Sequence, residues 1–260
     1  MDNNKTINTL LNAELPPSVD NALNNLTDKP SLSIGTTFAD LWYLVFGGIS
    51  YHSEKKRTKY AHKLELFRKE LEDSINQIPP KKLIDPTIQV TAQALENSKY
   101  CIDDDDLRRM FTSLISSSMN ADFSKDIHPS FAEILKQMSP LDAAIIKTFK
   151  GSSTDGYPLC RYELVKNGGL NLLLDNVFLK HPNPYLPENS LSISSLSRLG
   201  LLELAYDHWI LDKGIYTSFT EHPWFKKLQE QFPEKQINLH KGLVRLTPLG
   251  RSFTKVCIPD

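Results

Sequence analysis

The chain has 260 residues, of which 40% are hydrophobic and 23% charged, and its formal net charge is −1. That ordinary balance allows one large or two modest domains and excludes a protein that is basic overall, so any contact with nucleic acid or anionic lipid must come from a local patch. Three cysteines, Cys101, Cys160 and Cys257, with no CxxC pair, argue against a disulfide scaffold or a cysteine zinc site and fit a reducing cytoplasm.

Residues 1–31 are polar, with seven asparagines before position 26 and prolines at 16, 17 and 30. They read as a loosely docked leader without the apolar core of a cleavable signal. Ile34 to Ile49, IGTTFADLWYLVFGGI, is the most apolar window. It holds Asp40 and falls short of the roughly 20 apolar residues a spanning helix needs. Between Tyr51 and Lys69 come seven Lys/Arg and two Glu. An apolar segment followed by a basic run is the pattern of an interfacial anchor. Trp42 and Phe46 with Lys55, Lys56 and Arg57 are therefore the candidate membrane or partner surface. The competing reading is a core helix followed by the solvated face of a long one.

Tyr60, Leu64, Phe67, Leu71 and Ile78 form one helical stripe with a gap at Ser74, and Pro79-Pro80 ends it. Asp85-Pro86 reads as a cap and first-turn proline, opening a helix through Ile88, Ala92 and Leu95. The run Asp103 to Asp106 invites a metal, but adjacent side chains on a helix splay apart, and aspartate is favoured at a helix start. The apolar positions Leu107, Met110, Phe111, Leu114 and Ile115 then follow at helical spacing. Pro129 opens a short helix with Phe131, Ile134, Leu135 and Met138 inward. Ser139-Pro140-Leu141-Asp142 is a capping box, followed by Leu141, Ala144, Ile145 and Phe149 on one face, with Gly151 as the stop.

The pattern is helical before Ser139, and strands are expected after it. Residues 160–179 suggest a helix broken at Gly168-Gly169, and His181 to Pro187 reads as irregular. Ser190 to Leu199 reads as a helix burying Leu191, Leu196 and Leu199. Leu202–Tyr206, Trp209–Leu211 and Leu243–Leu246 read as strands, with a short helix at 221–228 inserted between them. Thr247 caps a last helix with Pro248 in its first turn and Leu249, Phe253 and Val256 inward. The expected fold is mainly α: a polar leader (1–31), a helical N-terminal domain (32–138) and a winged-helix-like α/β C-terminal domain (139–260).

A winged helix that reads DNA aims basic and polar side chains into the major groove. The candidate helix, ENSLSISSLSRLG, carries one cation, Arg198, and serines at 190, 192, 194, 195 and 197. Lys241, Arg245 and Arg251 are the further candidate nucleic-acid contacts. Nine Lys/Arg against six Asp/Glu from Ser192 to Val256 is a weak surplus. Roughly three or four phosphate contacts bind weakly. Protein contact is thus the favoured use, with a winged-helix DNA-binding regulator or sensor of phage DNA, or a membrane-associated effector using the apolar segment 34–49 and the basic run 55–69, as alternatives. The seven histidines form no ligand pattern. HExxH, GxSxG and a Gly-rich phosphate loop are missing, so no catalytic, cofactor or metal residue is assigned and no small-molecule substrate identified.

Several stretches resemble the Abi-alpha (abortive infection alpha) family of bacterial proteins. They are Lys63–Phe67, Ile78–Pro86, Ala94–Tyr100, Asp106–Met119 and, most specifically, the run His128–Ala143, HPSFAEILKQMSPLDA. The likeness extends over about residues 55–255, through LSRLGLLE and GLVRLTPLGRSF. It implies a cytoplasmic bacterial protein associated with phage defence. It carries over no catalytic residue and no cofactor. A non-enzymatic component acting through macromolecular contacts, by a protein partner or self-association, is the function expected, at the membrane periphery if residues 34–49 serve as an anchor.

Overall fold

The structure, a computed structural model, describes residues 40–46, 54–152, 156–166, 168–181, 183, 185–212 and 214–259. The polar leader and the flanks of the apolar window lie outside the described residues. A short helical segment at 40–46 precedes α1 (Glu54–Asn76), α2 (Ile88–Ser98) and α3 (Asp105–Ser118). Then come α4 (Phe131–Gln137) and α5 (Pro140–Lys147).

Local chemistry sets most of these boundaries. In α1, Phe67, Leu71 and Ile75 are buried on one face, and the stripe passes through Ile75 rather than Ser74. The aspartate run serves as a helix start: the Asp104 carboxylate accepts from Leu107 N at 2.9 Å, with Asp105 and Asp106 in the first turn. At α5 the capping box is complete, with Ser139 Oγ accepting from Asp142 N and Asp142 Oδ2 accepting from Ser139 N. The cap before α2 differs from expectation. Thr87 takes the N-cap position and makes no side-chain cap bond, so Pro86 lies outside the helix. Ile88 faces solvent while Val90, Ala94 and Leu95 are buried, because the helix begins later and its inward face is turned accordingly.

The C-terminal part is built on a four-stranded antiparallel sheet of order β2-β1-β4-β3, comprising β1 (Tyr157–Lys166), β2 (Gly169–Val177), β3 (Leu202–Ala205) and β4 (Ile237–Leu246). The expected helix over 160–179 is instead the β1–β2 hairpin. Cys160, Tyr162 and Leu164 alternate into one face, and Gly168 turns the chain at φ +90°. That torsion suits glycine, and Asn-Gly is a common hairpin signal. Helix α6 (Leu186–Arg198) follows, starting within the stretch read as irregular. Leu196 and Leu199 are buried as expected, but Leu191 is 71% exposed and Ile193 takes the inward position. Trp209–Leu211 forms no strand, and both Trp209 and Leu211 are exposed. Between β3 and β4 the chain carries α7 (Thr217–Glu221) and α8 (Pro223–Gln231), and it closes with α9 (Pro248–Cys257).

One apolar core runs from Val45 and Phe46 through α1–α5 to Leu159, Phe178, Val244 and α9. It is continuous across Ser139. Phe131 meets Phe253 edge to face at 5.4 Å, and Ser117 Oγ donates to Val256 O at 3.1 Å. A second cluster lies on the other side of the sheet, where Cys160, Tyr162 and Val177 pack against Tyr216, Phe219 and Phe225 of the β3–β4 connection.

Candidate functional site

Helix α6 is the element on which nucleic-acid reading would depend, and its serines face inward. Ser190 Oγ donates to Asp175 O at 2.6 Å, and Ser194 Oγ donates to Ser190 O while accepting from Asn176 Nδ2 at 2.8 Å. Ser195 Oγ reaches Asp142 Oδ2 at 3.2 Å, and Ser192 is buried. The polar face is thus spent on β2 and on the start of α5. The exposed positions left on the helix are Glu188, Leu191 and Arg198.

The four candidate cations hang from three elements, each engaged by a neighbour of its own. Arg198, at the end of α6, donates to Gln137 Oε1 at 3.2 Å. Arg245 on β4 forms a bidentate pair with Glu203 on β3, at 2.9 and 3.0 Å. This bond and charge hold the Glu203 carboxyl below its usual range and raise Arg245. Arg251 donates to Leu246 O at 2.9 Å, and Lys241 Nζ lies 5.2 Å from the centre of the Tyr216 ring.

A polar network that local sequence does not reveal crosses the sheet. Arg161 on β1 donates to Asp175 Oδ1 at 2.7 Å, and its guanidinium lies 3.7 Å from the centre of the Tyr206 ring. Tyr206 Oη donates to Asn176 Oδ1 at 2.8 Å, and burial pushes its hydroxyl well above the usual tyrosine range. Asn176 holds a left-handed backbone, φ +47°, where the β2 strand is irregular, a conformation asparagine tolerates better than most residues. Beside it, nearly buried Glu163 accepts from Asn238 Nδ2 at 3.0 Å and faces His240 Nδ1 at 3.2 Å. The other ring nitrogen of His240 lies 3.2 Å from Tyr206 O. A carboxylate beside an imidazole can move a proton, but these ring nitrogens and carboxylate oxygens bind neighbours within the fold. Their evident work is to lock β1, β2 and β4 to the residues after β3.

The candidate membrane surface divides. Phe46 is buried, and Trp42 is half-buried against it, with ring centres 4.5 Å apart and Phe67 behind both. Tyr43 and Leu44 on the same segment are exposed. Lys55, Lys56 and Arg57 fall in the first turn of α1, and their side chains lie outside the described residues. Among the described residues no helix is long and apolar enough to cross a membrane. Nor do three or more His, Cys, Asp or Glu of that set gather where they could hold a metal ion.

The model of the family described as abortive infection alpha matches residues 59–257. The chain belongs to the abortive infection alpha family. No curated protein and no solved structure matches it. The family match spans α1 to α9, so abortive infection alpha here comprises both the helical stretch and the sheet, together with the core they share. It places the chain among proteins associated with abortive infection and phage defence.

Proposed function

We propose that this abortive infection alpha chain is a non-enzymatic component of a bacterial phage-defence system, acting in the cytoplasm by contact with protein. Its C-terminal half, 139–260, is winged-helix-like and follows a helical segment, 32–138. The supporting pattern is the antiparallel order β1-β4-β3 with α6 directly before β3, which is the strand order of a winged helix with α6 in the recognition position. Strand β2 is an addition to that plan, and α7 and α8 elaborate the wing.

The observation that carries the choice of partner is the inward use of the α6 serines. A helix that reads bases keeps its polar face free for the groove. This one commits Ser190, Ser194 and Ser195 to internal bonds and presents Leu191 to solvent. The bidentate pairing of Arg245 with Glu203 further reduces the charge available to phosphates. The membrane reading has less support, since Trp42 and Phe46 pack on Phe67 in the core.

The test is a fluorescence-anisotropy titration of labelled duplex DNA with the full chain at several salt concentrations. No salt-dependent binding is expected near physiological ionic strength. Tight binding with a steep salt slope, lost on charge reversal at Lys241, Arg245 and Arg251, would replace protein contact with a DNA-binding regulator.

A further inference from the structure

The two edges of the sheet are built differently. Strand β3 forms one edge; it is four residues long, and its outward Glu203 is neutralised by Arg245. Short edges and charged side chains are ordinary protection against pairing with another chain. Strand β2 forms the other edge and has neither device over its outer half. From 167 to 174 the sequence NGGLNLLL carries no charge and no proline. Gly169 to Leu172 pairs regularly with β1, and the irregularity lies further in, at Leu173. Leu170 and Leu172 are each 55% exposed and Asn171 is exposed. Leu170 stands opposite Val165, itself exposed, and Leu172 opposite Glu163, so the three apolar side chains share one face of the hairpin tip.

We infer that β2 is a self-association edge, pairing antiparallel with β2 of a second copy of this chain about a twofold axis at Asn171. An isologous contact requires a patch complementary to itself. Pairing about Asn171 sets Leu170 against Leu172 of the other copy and Leu172 against its Leu170. The two Val165 side chains flank this apolar stripe. Asn171 meets its own copy, and an amide carries both donor and acceptor, so like can bond to like. A charged residue there would face an identical charge. A strand partner of another kind is selected by pockets or opposite charges, and this edge offers no charge to read. The inference rests on the protein-contact reading above and names the partner.

Sedimentation velocity of the full chain over a concentration series tests it. Wild type is expected to shift from monomer to dimer as concentration rises. The double variant Leu170→Lys/Leu172→Lys should weaken association about tenfold or more, with unchanged circular dichroism and unfolding midpoint, because both positions are exposed. Asn171→Cys should yield a covalent dimer on oxidation or with a short bis-maleimide, since directly opposed residues of antiparallel strands lie about 4.5–5.5 Å apart. Tyr100→Cys, exposed elsewhere, should not. A wild type that stays monomeric, a double variant that dimerises like wild type, or equal linking at 171 and 100 overturns the inference. A monomer that also ignores DNA would remove self-pairing and leave the protein-contact reading standing. DNA binding by an intact β2-paired dimer would do the reverse.

Discussion

At the scale of single residues, the clearest constraint is Gly250. A Cβ at this position would lie 2.1 Å from Leu201 O and 3.0 Å from Leu201 C, both backbone atoms. Helix α9 can approach the α6–β3 connection only without a side chain here, which explains the glycine in the LTPLGRSF stretch. Gly250→Ala should destabilise the protein by about 2 kcal/mol, read as a lower midpoint in urea. Arg108 is a second such point. It is 3% exposed, and it donates to both oxygens of Glu70, to Asp105 and to Ile102 O. Arg108→Ala should cost about 2–3 kcal/mol, at or just below the roughly 3–5 kcal/mol usual for breaking a fully buried pair, because Glu70 keeps some contact with water. Adding Glu70→Gln should recover part of that loss in a double-mutant cycle. The hydrogen bonds from Lys63 and Arg108 hold the Asp105 carboxyl down at about 2. Its contribution is therefore fully present above the ordinary aspartate range near 4 and is lost as pH falls toward about 2. An NMR titration should place the Asp105 midpoint near the lower value in wild type and higher in Lys63→Met.

At the scale of elements, caps decide boundaries and face directions decide packing. Thr247 Oγ1 accepts from Gly250 N at 2.9 Å and donates to Gly200 O at 2.6 Å, so one hydroxyl starts α9 and ties it to the turn after α6. Thr247→Ala should cost about 1–2 kcal/mol, measured by denaturant unfolding, while Thr247→Ser should restore most of it. These caps were legible in the sequence because they depend on residues three positions apart, as at Asp104 and Ser139. Faces set by distant neighbours were less legible. Leu191 is apolar and yet exposed, because Ser190, Ser192 and Ser194 are drawn inward by β2 and the core. The β1–β2 hairpin was obscured by the leucine run at 172–174. That run breaks period-two alternation at the strand irregularity, although Asn167-Gly168 signalled the turn. The network of Arg161, Glu163, Asp175, Tyr206 and His240 was not legible at all. Its partners lie up to 77 residues apart and meet only when β1 and β4 pair.

At the scale of the whole molecule, the shared core makes the helical stretch and the sheet depend on each other. Phe131, Phe253, Ser117 and Val256 join them directly. The described part should unfold as one cooperative unit, with intrinsic fluorescence and far-ultraviolet circular dichroism reporting a single coincident transition. Two separated transitions would show that the segments on either side of Ser139 fold independently. All three cysteines are buried, and burial is the main cause raising each thiol above its usual range. They should resist thiol reagents in the native protein and react together on unfolding.

The helices and the four-stranded sheet of this abortive infection alpha protein share one core, and protein contact is the function proposed for it. The most direct measurement is sedimentation velocity of the full chain mixed with a dye-labelled duplex near physiological ionic strength, followed at the dye's absorbance. The duplex is expected to sediment as free DNA at every protein concentration, while the protein boundary shifts with its own concentration. A faster dye boundary that grows with protein and disappears as salt is raised would contradict the proposed function.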